Sequence, residues 1–414
     1  MNATLQIPLD IPNIRLLSSR NGERGELILE VESHLNTTKC RHCGKAIIEF
    51  HGYDRPIQLR HLPIFERVVL IEIRPKRYRC RHCEGDPTTT QKLDWYDPNS
   101  PHTRAFERWL LKMLANSTVI DVTRRCEIGY DAVEGVLNRW IKTQVQWSDF
   151  KHLHTLGIDE ISLKKGHKHY VAIITTLDDD DHPQILAVLS DRLKETVVNF
   201  LNGIPEHLKA SVRRVCSDMH EGYAHAIKET LPHAELVIDR FHVAHYYHRE
   251  VDQFRKQALA DLKETVTPET YQACKGTMWL FRRHYWSLTG EQLQQLATLL
   301  LLSPPLQQAW LLRHELTLWF EQQQTKTEAL QKLQHWKEKV RLSGLTCFDK
   351  FINLLATWQD GITNYFNDRH TSGFVEGLNN KLKVIKRRCY GLFDPKRLFQ
   401  QIQLDLLFSR EMSA

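Results

Sequence analysis

The fold is decided by five strand-like apolar runs: TLGIDEI (155–161), HYVAIITTL (169–177), QILAVLSDR (184–192), RRVCSDM (213–219) and AELVIDRF (234–241). Short polar connections join the first three runs, which is typical of consecutive antiparallel strands. Helical segments at 193–204 and 222–231 precede the fourth and fifth runs. The predicted elements therefore follow the order strand, strand, strand, helix, strand, helix, strand. This order is typical of an α/β domain, so we expect one mixed sheet with flanking helices.

Two of these runs end their apolar stretch with an aspartate. Asp159 follows the sequence LGI, and Asp218 follows VCS. A buried carboxylate has a large desolvation cost unless a cation compensates it, and a divalent metal shared by both would do so. Taken singly, each would suit a strand-end aspartate that caps the next helix.

The chain after the sheet has an almost wholly helical pattern. Residues 242–365 are rich in Gln, Leu and Trp, with breaks at Pro268, Pro304-Pro305 and Gly344, which predicts a helical insertion domain. A final helix is expected to begin near Ser372.

This final helix is predicted to have two different faces. An apolar stripe holds Phe374, Leu378, Leu382 and Ile385, and the opposite face holds Glu376, Asn380, Lys383 and Arg387. Taken alone, Glu376 and the basic run after it are typical of a solvated helix face. If Glu376 converges with Asp159 and Asp218, the three carboxylates can hold two divalent metals that act on a phosphodiester.

Four of the nine cysteines form two matching pairs near the N-terminus, Cys40 with Cys43 and Cys80 with Cys83. Two Cys-x2-Cys turns predict one tetrahedral structural Zn²⁺ site with four thiolate ligands; unpaired cysteines or a redox role are the alternatives. We expect the residues between the two pairs to form a small sheet of their own.

Residues 118–142 predict a helix-turn-helix, with helices at about 118–125 and 130–142. The second helix would enter the DNA major groove, although any helical hairpin gives the same pattern. The candidate DNA contacts here are Arg124, Arg125, Arg139 and Lys142.

Two further patterns resemble metal sites. The acidic run at 178–181 falls between two predicted strands, which favours a solvated turn. His242, His245 and His248 recur every three residues but lack a carboxylate or cysteine at fitting helical spacing, so we expect packing or DNA contact.

Composition limits the class of protein. The chain has 414 residues and a formal charge of +6, which permits nucleic-acid binding through local patches. The odd number of cysteines argues against a disulfide framework and for a reducing compartment. No apolar run approaches the length of a membrane span, so we expect a cytoplasmic protein.

The segments GIDE, SDMHEGY, VIDRFHV and VEGLNNKLKVIKRRCYG together resemble a DDE transposase of the ISL-three insertion-sequence family, and the similarity includes the zinc and helix-turn-helix segments. The resemblance implies an RNase H-like catalytic domain interrupted by an all-α insertion. It also implies that Asp159, Asp218 and Glu376 are the catalytic triad. Asp239 and His242 match a supporting Asp-x2-His motif.

The predicted order is a zinc-binding domain at 1–98, a helix-turn-helix domain at 99–148, catalytic segments at 149–245 and 367–414, and the insertion at 246–366. The implied chemistry is hydrolysis at the element ends and joining of the freed 3′ ends to target DNA with two Mg²⁺ or Mn²⁺. The implied phosphate contacts near the cut are Lys381, Lys383, Lys386, Arg387 and Arg388.

Two alternatives to this activity stay open: a DNA-binding regulator, and an RNase H-like nuclease without strand transfer. The expected partners are double-stranded DNA, as terminal inverted repeats and target, and a second copy in a homodimer or larger assembly on DNA. We expect no membrane partner and a location at the bacterial nucleoid.

Overall fold

The computed structural model describes residues 8–9, 11–164, 169–368, 373–389 and 394–411, without the side chains at 368, 373–376, 379 and 409–411. Two compact units divide the chain. The first is Met1–Ile141 with Phe408–Ala414, and the second is Lys142–Leu407.

The first unit begins with nine strands: β1 (Ile14–Asn21), β2 (Leu27–Ser33), β3 (Thr38–Lys39), β4 (Ala46–Ile47), β5 (Glu49–Tyr53), β6 (Ile57–Ile64), β7 (Arg67–Ile73), β8 (Lys76–Arg79) and β9 (Thr88–Thr90). The expectation of a separate sheet between the cysteine pairs is confirmed only in part, because β5 and β8 form a separate sheet with β9, whereas β6 and β7 do not belong to it. Strand β7 pairs in parallel with β2, so the β6–β7 hairpin joins the N-terminal hairpin in one sheet of order β1-β2-β7-β6. Val69, Ile71 and Ile73 of β7 are buried in the core of that sheet.

Three helices complete the first unit: α1 (Arg104–Leu114), α2 (Val119–Cys126) and α3 (Tyr130–Trp140). The side chain of Thr118 caps α2, and Glu127 ends it in the left-handed conformation (φ 51°). Val122 of α2 and Val133 and Leu137 of α3 are buried. The predicted helix-turn-helix is therefore present, and its second helix ends at Trp140.

The described residues of the second unit form the strands β10 (Thr155–Ser162), β11 (Tyr170–Leu177), β12 (Pro183–Val188), β13 (Arg214–Ser217) and β14 (Glu235–Ile238). Their order is β12-β11-β10-β13-β14. The first three pair antiparallel, and β13 and β14 extend the sheet in parallel from β10. Helices α4 (Lys194–Asn202), α5 (Glu206–Lys209) and α6 (Glu221–Thr230) lie between the later strands. This is the predicted mixed α/β, RNase H-like arrangement.

Alternation along the strands gives this sheet a core on each face. Ala172 and Ile174 of β11 pack in a cluster with residues of α4 and α6. Val171 and Ile173, one position out of phase, pack in a second cluster with Leu382 from the C-terminal helices. Successive strand residues point to opposite faces, so a strand buried on both faces needs the continuous apolar run seen here.

In the described part of the chain the sheet is followed by α7 (Arg240–Thr265), α8 (Pro268–Cys274), α9 (Met278–Arg282), α10 (Gly290–Leu302), α11 (Pro304–Glu321), α12 (Lys326–Ser343), α13 (Asp349–Thr363), α14 (Tyr365–Asp368), α15 (Gly373–Arg388) and α16 (Pro395–Glu411). Pro268 and Pro304 each open a helix, and Gly344 ends α12 at φ 67°. The predicted breaks are thus helix ends. The proposed boundary between residues 245 and 246 falls inside α7, which continues unbroken from the sheet into the insertion.

The insertion core contains histidines whose pKa values are depressed. Burial lowers the pKa of His248 to about 3 and that of His314 to about 4, and the nearby charge of Arg313 adds to both shifts. Both imidazoles are therefore neutral in the folded protein. Arg313 is itself buried, with its guanidinium 5.1 Å from the Phe281 ring centroid.

Acid should destabilise this core in a defined window. In the unfolded chain each histidine binds a proton below its ordinary pKa of 6.5, whereas the folded forms do not until pH 3 to 4. The contribution of each neutral histidine to the free energy of unfolding is complete above pH 6.5. It is lost as pH falls, by about 1.4 kcal/mol per pH unit for each histidine. Urea unfolding of the protein and of His248→Leu between pH 7 and 5 measures this. We expect a shallower loss in the variant, and parallel profiles would contradict the assignment.

Candidate active site and DNA-binding elements

Three aspartates follow one row of paired residues at the carboxyl edge of three adjacent parallel strands. Ile158 of β10 is in register with Ser217 of β13, which is in register with Ile238 of β14. The residues that follow this row are Asp159, Asp218 and Asp239. Neighbouring parallel strands hold paired positions about 4.8 Å apart, so the register places these residues side by side at one edge of the sheet. Among the described residues, their carboxylate oxygens do not all lie within 4.8 Å of one another.

The first two carboxylates sit in an environment that opposes their negative charge. Asp159 is only 8% exposed, and one of its carboxylate oxygens accepts from the Glu160 amide at 2.6 Å. Within the described residues, Oδ1 of Asp218 is buried without a hydrogen-bond partner. Burial, and then the charge of Asp159, raises the pKa of Asp218 to about 7, while His242 opposes this rise. A cation between the two would remove this cost.

Asp239, at the same edge of the sheet, stabilises the start of α7. Its carboxylate accepts from the Phe241 amide at 2.8 Å and caps α7. Its own amide donates to the Ser217 carbonyl at 2.9 Å. These bonds fix the first turn of α7, which carries His242.

A cavity of about 150 Å³ opens beside these residues. Its walls include Asp159 and Asp239 from the sheet edge, His242 from α7, and Asn380 and Lys383 from α15. The structure therefore brings Asp159, the Asp-x2-His pair and α15 to one place.

Helix α15 is held against the sheet by the predicted apolar stripe. Leu378, Leu382 and Ile385 are buried in the cluster that includes Val171 and Ile173 of β11. Glu376 lies in this helix, one turn before Asn380, but its side chain is outside the described part of the structure, as is that of Phe374.

The basic residues of α15 separate into two groups. Lys383 and Arg387 are exposed. Lys381 donates to the Asp405 carbonyl at 2.8 Å, Arg388 pairs with the buried Asp405 carboxylate at 2.7 Å, and Lys386 donates to the Ser162 carbonyl. Burial lowers the pKa of both Lys381 and Lys386. In this structure the second group holds α15 in place, so a phosphate contact is better supported for the first.

Three residues near the carboxylates were missed from sequence. Glu160 forms an ion pair with Arg192 at 2.8 Å, and the Arg192 guanidinium lies 4.4 Å from the centroid of the Tyr170 ring. The Tyr223 hydroxyl of α6 is buried without a partner among the described residues, and burial raises its pKa. The acid directly after Asp159 was the available signal for Glu160, but its partner lies 32 residues further along the chain.

The four paired cysteines form one cluster in the first unit. Their Sγ atoms all lie within 4.8 Å of one another, and the recorded pairs are 3.7 to 3.9 Å apart. A tetrahedron with zinc–sulfur bonds of 2.3 Å requires a separation of about 3.8 Å. The backbone N–H groups of Cys43 and His42 lower the pKa of the Cys40 thiol to about 6. The separation of the four Sγ atoms fits a structural Zn²⁺ site.

The predicted helix-turn-helix contacts also differ in their surroundings. Arg124 and Arg125 are exposed in the last turn of α2, and Lys142 is exposed after α3. Arg139 instead pairs with the buried Glu107 carboxylate, which also accepts from the Trp140 indole at 2.6 Å. Arg139 therefore joins α3 to α1 in this structure, and its predicted DNA contact has weaker support than those of Arg124 and Arg125.

Both patterns that resemble metal sites are explained by local structure. Asp178 accepts from the amides of Asp180 and His182, at 3.1 and 2.9 Å, in the hairpin turn between β11 and β12. The clustering of Asp178, Asp180 and His182 thus follows from the turn, as expected. Of the three spaced histidines, His242 lines the cavity and His248 packs in the insertion.

An RNase H-like sheet with this carboxylate edge and a helical insertion before α15 is the arrangement that the resemblance to DDE transposases implies. Residues 156–402 match a family model described as "Transposase". Residues 91–141 match "Helix-turn-helix domain of transposase family ISL3", and residues 36–83 match "zinc-finger of transposase IS204/IS1001/IS1096/IS1165". The chain belongs to the ISL3 family of transposases.

Curated relatives agree with this membership. The chain is 30% identical over 366 residues to the transposase for insertion sequence element IS1001 of Bordetella parapertussis, a match that covers 88% of this chain and 87% of the relative. It is 23% identical over 395 residues to the transposase for element IS1557 of Mycobacterium tuberculosis, covering 88% and 86%. Among the described helices, none is long and apolar enough to cross a membrane.

Proposed function

We propose that this DNA transposase cuts and joins DNA at a metal site formed by Asp159, Asp218 and Glu376. The substrate ends would be the terminal inverted repeats of an insertion sequence. Hydrolysis of the phosphodiester at each end would free a 3′ hydroxyl, which would then attack a phosphodiester of the target DNA.

The buried Asp218 oxygen is the observation that carries the proposal. It has no hydrogen-bond partner among the described residues and lies in the electric field of Asp159. Two partly buried carboxylates that repel one another are stable as anions when they share a cation. Hard oxygen ligands favour Mg²⁺ or Mn²⁺ over softer metals.

Helix α15 supports Glu376 as the third ligand. Asn380 and Lys383 of this helix line the cavity beside Asp159. Residues four apart in a helix lie on one face, so position 376 precedes Asn380 on the face that carries both cavity residues. Two bound Mg²⁺ would supply activation of the attacking oxygen and stabilisation of the leaving 3′ oxygen.

The remaining cavity residues fit roles toward the phosphate. Lys383 would place positive charge beside the scissile group, and the His242 ring would donate a hydrogen bond to its oxygens, on which charge develops. The cap bond from Asp239 fixes the helix turn that carries His242. In hydrolysis, water oxygen bonds to phosphorus while the bond to the 3′ oxygen breaks. In joining, the freed 3′ hydroxyl takes the place of water, and the target strand's 3′ oxygen leaves.

Recognition of the DNA is assigned to the first unit. The zinc-binding segment and the helix-turn-helix would bind the inverted repeats, with exposed Arg124 and Arg125 as phosphate contacts. Lys383 and Arg387 would contact DNA near the cut, and two or more copies would act on paired ends.

A strand-transfer assay tests this function. The protein, a labelled duplex carrying one element end, and a target plasmid should give both a cleaved end and a covalently joined product in Mg²⁺. Glu376→Gln should lose both products because the neutral amide cannot replace a charged ligand. Cleavage without joining would favour the RNase H-like nuclease, and neither product would favour the DNA-binding regulator. Full activity of Glu376→Gln would contradict its role as a ligand.

A further inference from the structure

A short part of the insertion domain combines exposed aromatic rings with positive charge. Residues 275–287 read KGTMWLFRRHYWS, with no acidic residue between Glu269 and Glu291. Trp279 is 65% exposed, and Tyr285 and Trp286 are each 50% exposed. Large rings of this kind are usually buried in a protein of this size, so three in eight residues form an unusual surface. We name residues 275–287 the aromatic segment.

Buried side chains and hydrogen bonds anchor the aromatic segment to the rest of the insertion domain. Leu280 and Phe281 are buried in the insertion core. The Arg282 guanidinium donates to the Asp252 carboxylate of α7 at 2.7 Å. The Tyr285 amide donates to the His314 ring of α11 at 3.3 Å. The exposed rings therefore stand on a fixed backbone, which reduces the entropy lost when they bind a partner.

The rings and the basic groups are interleaved. The Arg282 guanidinium carbon lies 5.8 Å from the centroid of the Trp279 ring. The His284 and Trp286 rings are stacked, with centroids 4.6 Å apart and planes at 18°. Lys275 and Arg283 are exposed, and the Arg283 guanidinium donates to the Ser287 carbonyl at 2.8 Å. Flat faces flanked by cations are the combination that binds unstacked bases and their phosphates.

The positive charge of the aromatic segment favours a nucleic-acid strand over a second copy of the chain as its binding partner. A second copy of the chain that presented the same surface would set basic residues against basic residues, which is unfavourable in a symmetric interface. A nucleic-acid strand complements the charge and also covers the rings. A continuous duplex hides its base faces in the stack, so stacking on these rings requires unpaired nucleotides.

We propose that the aromatic segment binds unpaired nucleotides of the DNA substrate, with Trp279 and Trp286 stacking on bases and Arg283 contacting the phosphates. This inference rests on the proposed function for the identity of the DNA. It concerns binding alone, and involves none of the carboxylates of the active site.

Fluorescence anisotropy tests the proposal with the full chain, without divalent metal. The probes are a labelled 20-nucleotide oligothymidine and a labelled duplex carrying the element end. Replacing both Trp279 and Trp286 with Ala should weaken binding of the single strand by about tenfold or more, with less than about twofold change for the duplex. Replacing both with Phe should retain most of the affinity, and Arg283→Gln should reduce the salt dependence of binding.

Controls separate this result from misfolding and from the active site. Leu301→Ala removes an apolar side chain that is 73% exposed on α10 and should change neither affinity. Ultraviolet cross-linking of an oligonucleotide that carries 5-iodouracil should label a peptide within residues 275–287. Asp159→Asn should bind the single strand as the unaltered protein does, so failure of the catalytic assignment leaves this test intact.

Three results would overturn the proposal. One is unchanged single-strand affinity in the double alanine variant. Another is equal loss on single strand and duplex, which would indicate phosphate contact without stacking. The third is a double alanine variant whose DNA affinity is intact but whose oligomeric state, measured by light scattering, has changed. That result would indicate that the aromatic segment binds a second copy of the chain.

Discussion

Asp159→Asn is expected to reduce strand cleavage by about a thousandfold or more while end binding stays within about twofold. The amide keeps the shape of the side chain but removes the charge that would hold a cation at the carboxyl edge of β10. End binding is assigned to the other compact unit of the chain, so it should survive. Single-turnover cleavage of a labelled element end in Mg²⁺ gives the rate, and anisotropy on the same DNA gives the affinity.

The same variant offers a second measurement that does not depend on catalysis. The charge of Asp159 helps to raise the pKa of Asp218, so the two carboxylates destabilise one another in the absence of metal. Removal of one charge should leave the thermal midpoint without metal unchanged or higher, and should abolish the increase that Mg²⁺ produces in the unaltered protein. A purely structural role for Asp159 predicts the opposite, a lower midpoint in both conditions.

Asp180→Asn is the matched control for this experiment. It makes the same chemical change in an exposed acid of the turn between β11 and β12. Cleavage, binding and the response to Mg²⁺ should all match those of the unaltered protein. Cleavage by Asp159→Asn at the rate of this control would remove Asp159 from the catalytic assignment.

Local sequence pattern was sufficient for the catalytic sheet because its strands contribute buried apolar residues to the cores on its two faces, which gives each strand a largely apolar run. The parallel direction of β10 and β13 also follows from the pattern, since two hairpins make β12 parallel to β10 and a helical connection makes β13 parallel to β12. Their adjacency, which places Asp159 beside Asp218, comes only from the strand order of the folded sheet. The pairing of β2 with β7 could not be found in this way. This pairing joins residues about 40 positions apart. Local periodicity predicts a strand but does not indicate which distant strand will pair with it.

The basic residues show a second limit of sequence reasoning. Five of them in eight positions of α15 suggested one phosphate-binding face. Packing of α16 supplies Asp405 to Lys381 and Arg388, and the end of β10 supplies a carbonyl to Lys386. Arg139 is similarly engaged by Glu107. A cation's role depends on which acceptor the folded chain brings to it, and helical spacing identifies only its neighbours along one helix.

Cys80→Ser is expected to remove the structural Zn²⁺ and, with it, the order of the surrounding strands. The buried apolar cluster here is small, comprising Cys40, Ile47, Tyr78 and Cys80, so two of its four members are themselves ligands. Structural zinc sites of this type contribute about 10–16 kcal/mol to folding in isolated peptides, far more than so small a core can supply. Zinc content by mass spectrometry should fall from one per chain to near zero, and binding of element ends should weaken by about tenfold or more because the zinc-binding segment is assigned to their recognition.

Cys347→Ser is the matched control for this prediction. It makes the same substitution at a partly buried cysteine of the insertion domain, distant in sequence from the paired cysteines. That variant should keep one zinc per chain and unchanged end binding. Oligothymidine binding by Cys80→Ser should also persist, since the aromatic segment belongs to the other compact unit. If Cys80→Ser retained a full zinc complement, three thiolates and a substitute ligand would be enough to hold the metal, and the four-cysteine assignment would be wrong. If zinc were lost while end binding stayed intact, recognition of the inverted repeats would belong to the helix-turn-helix alone.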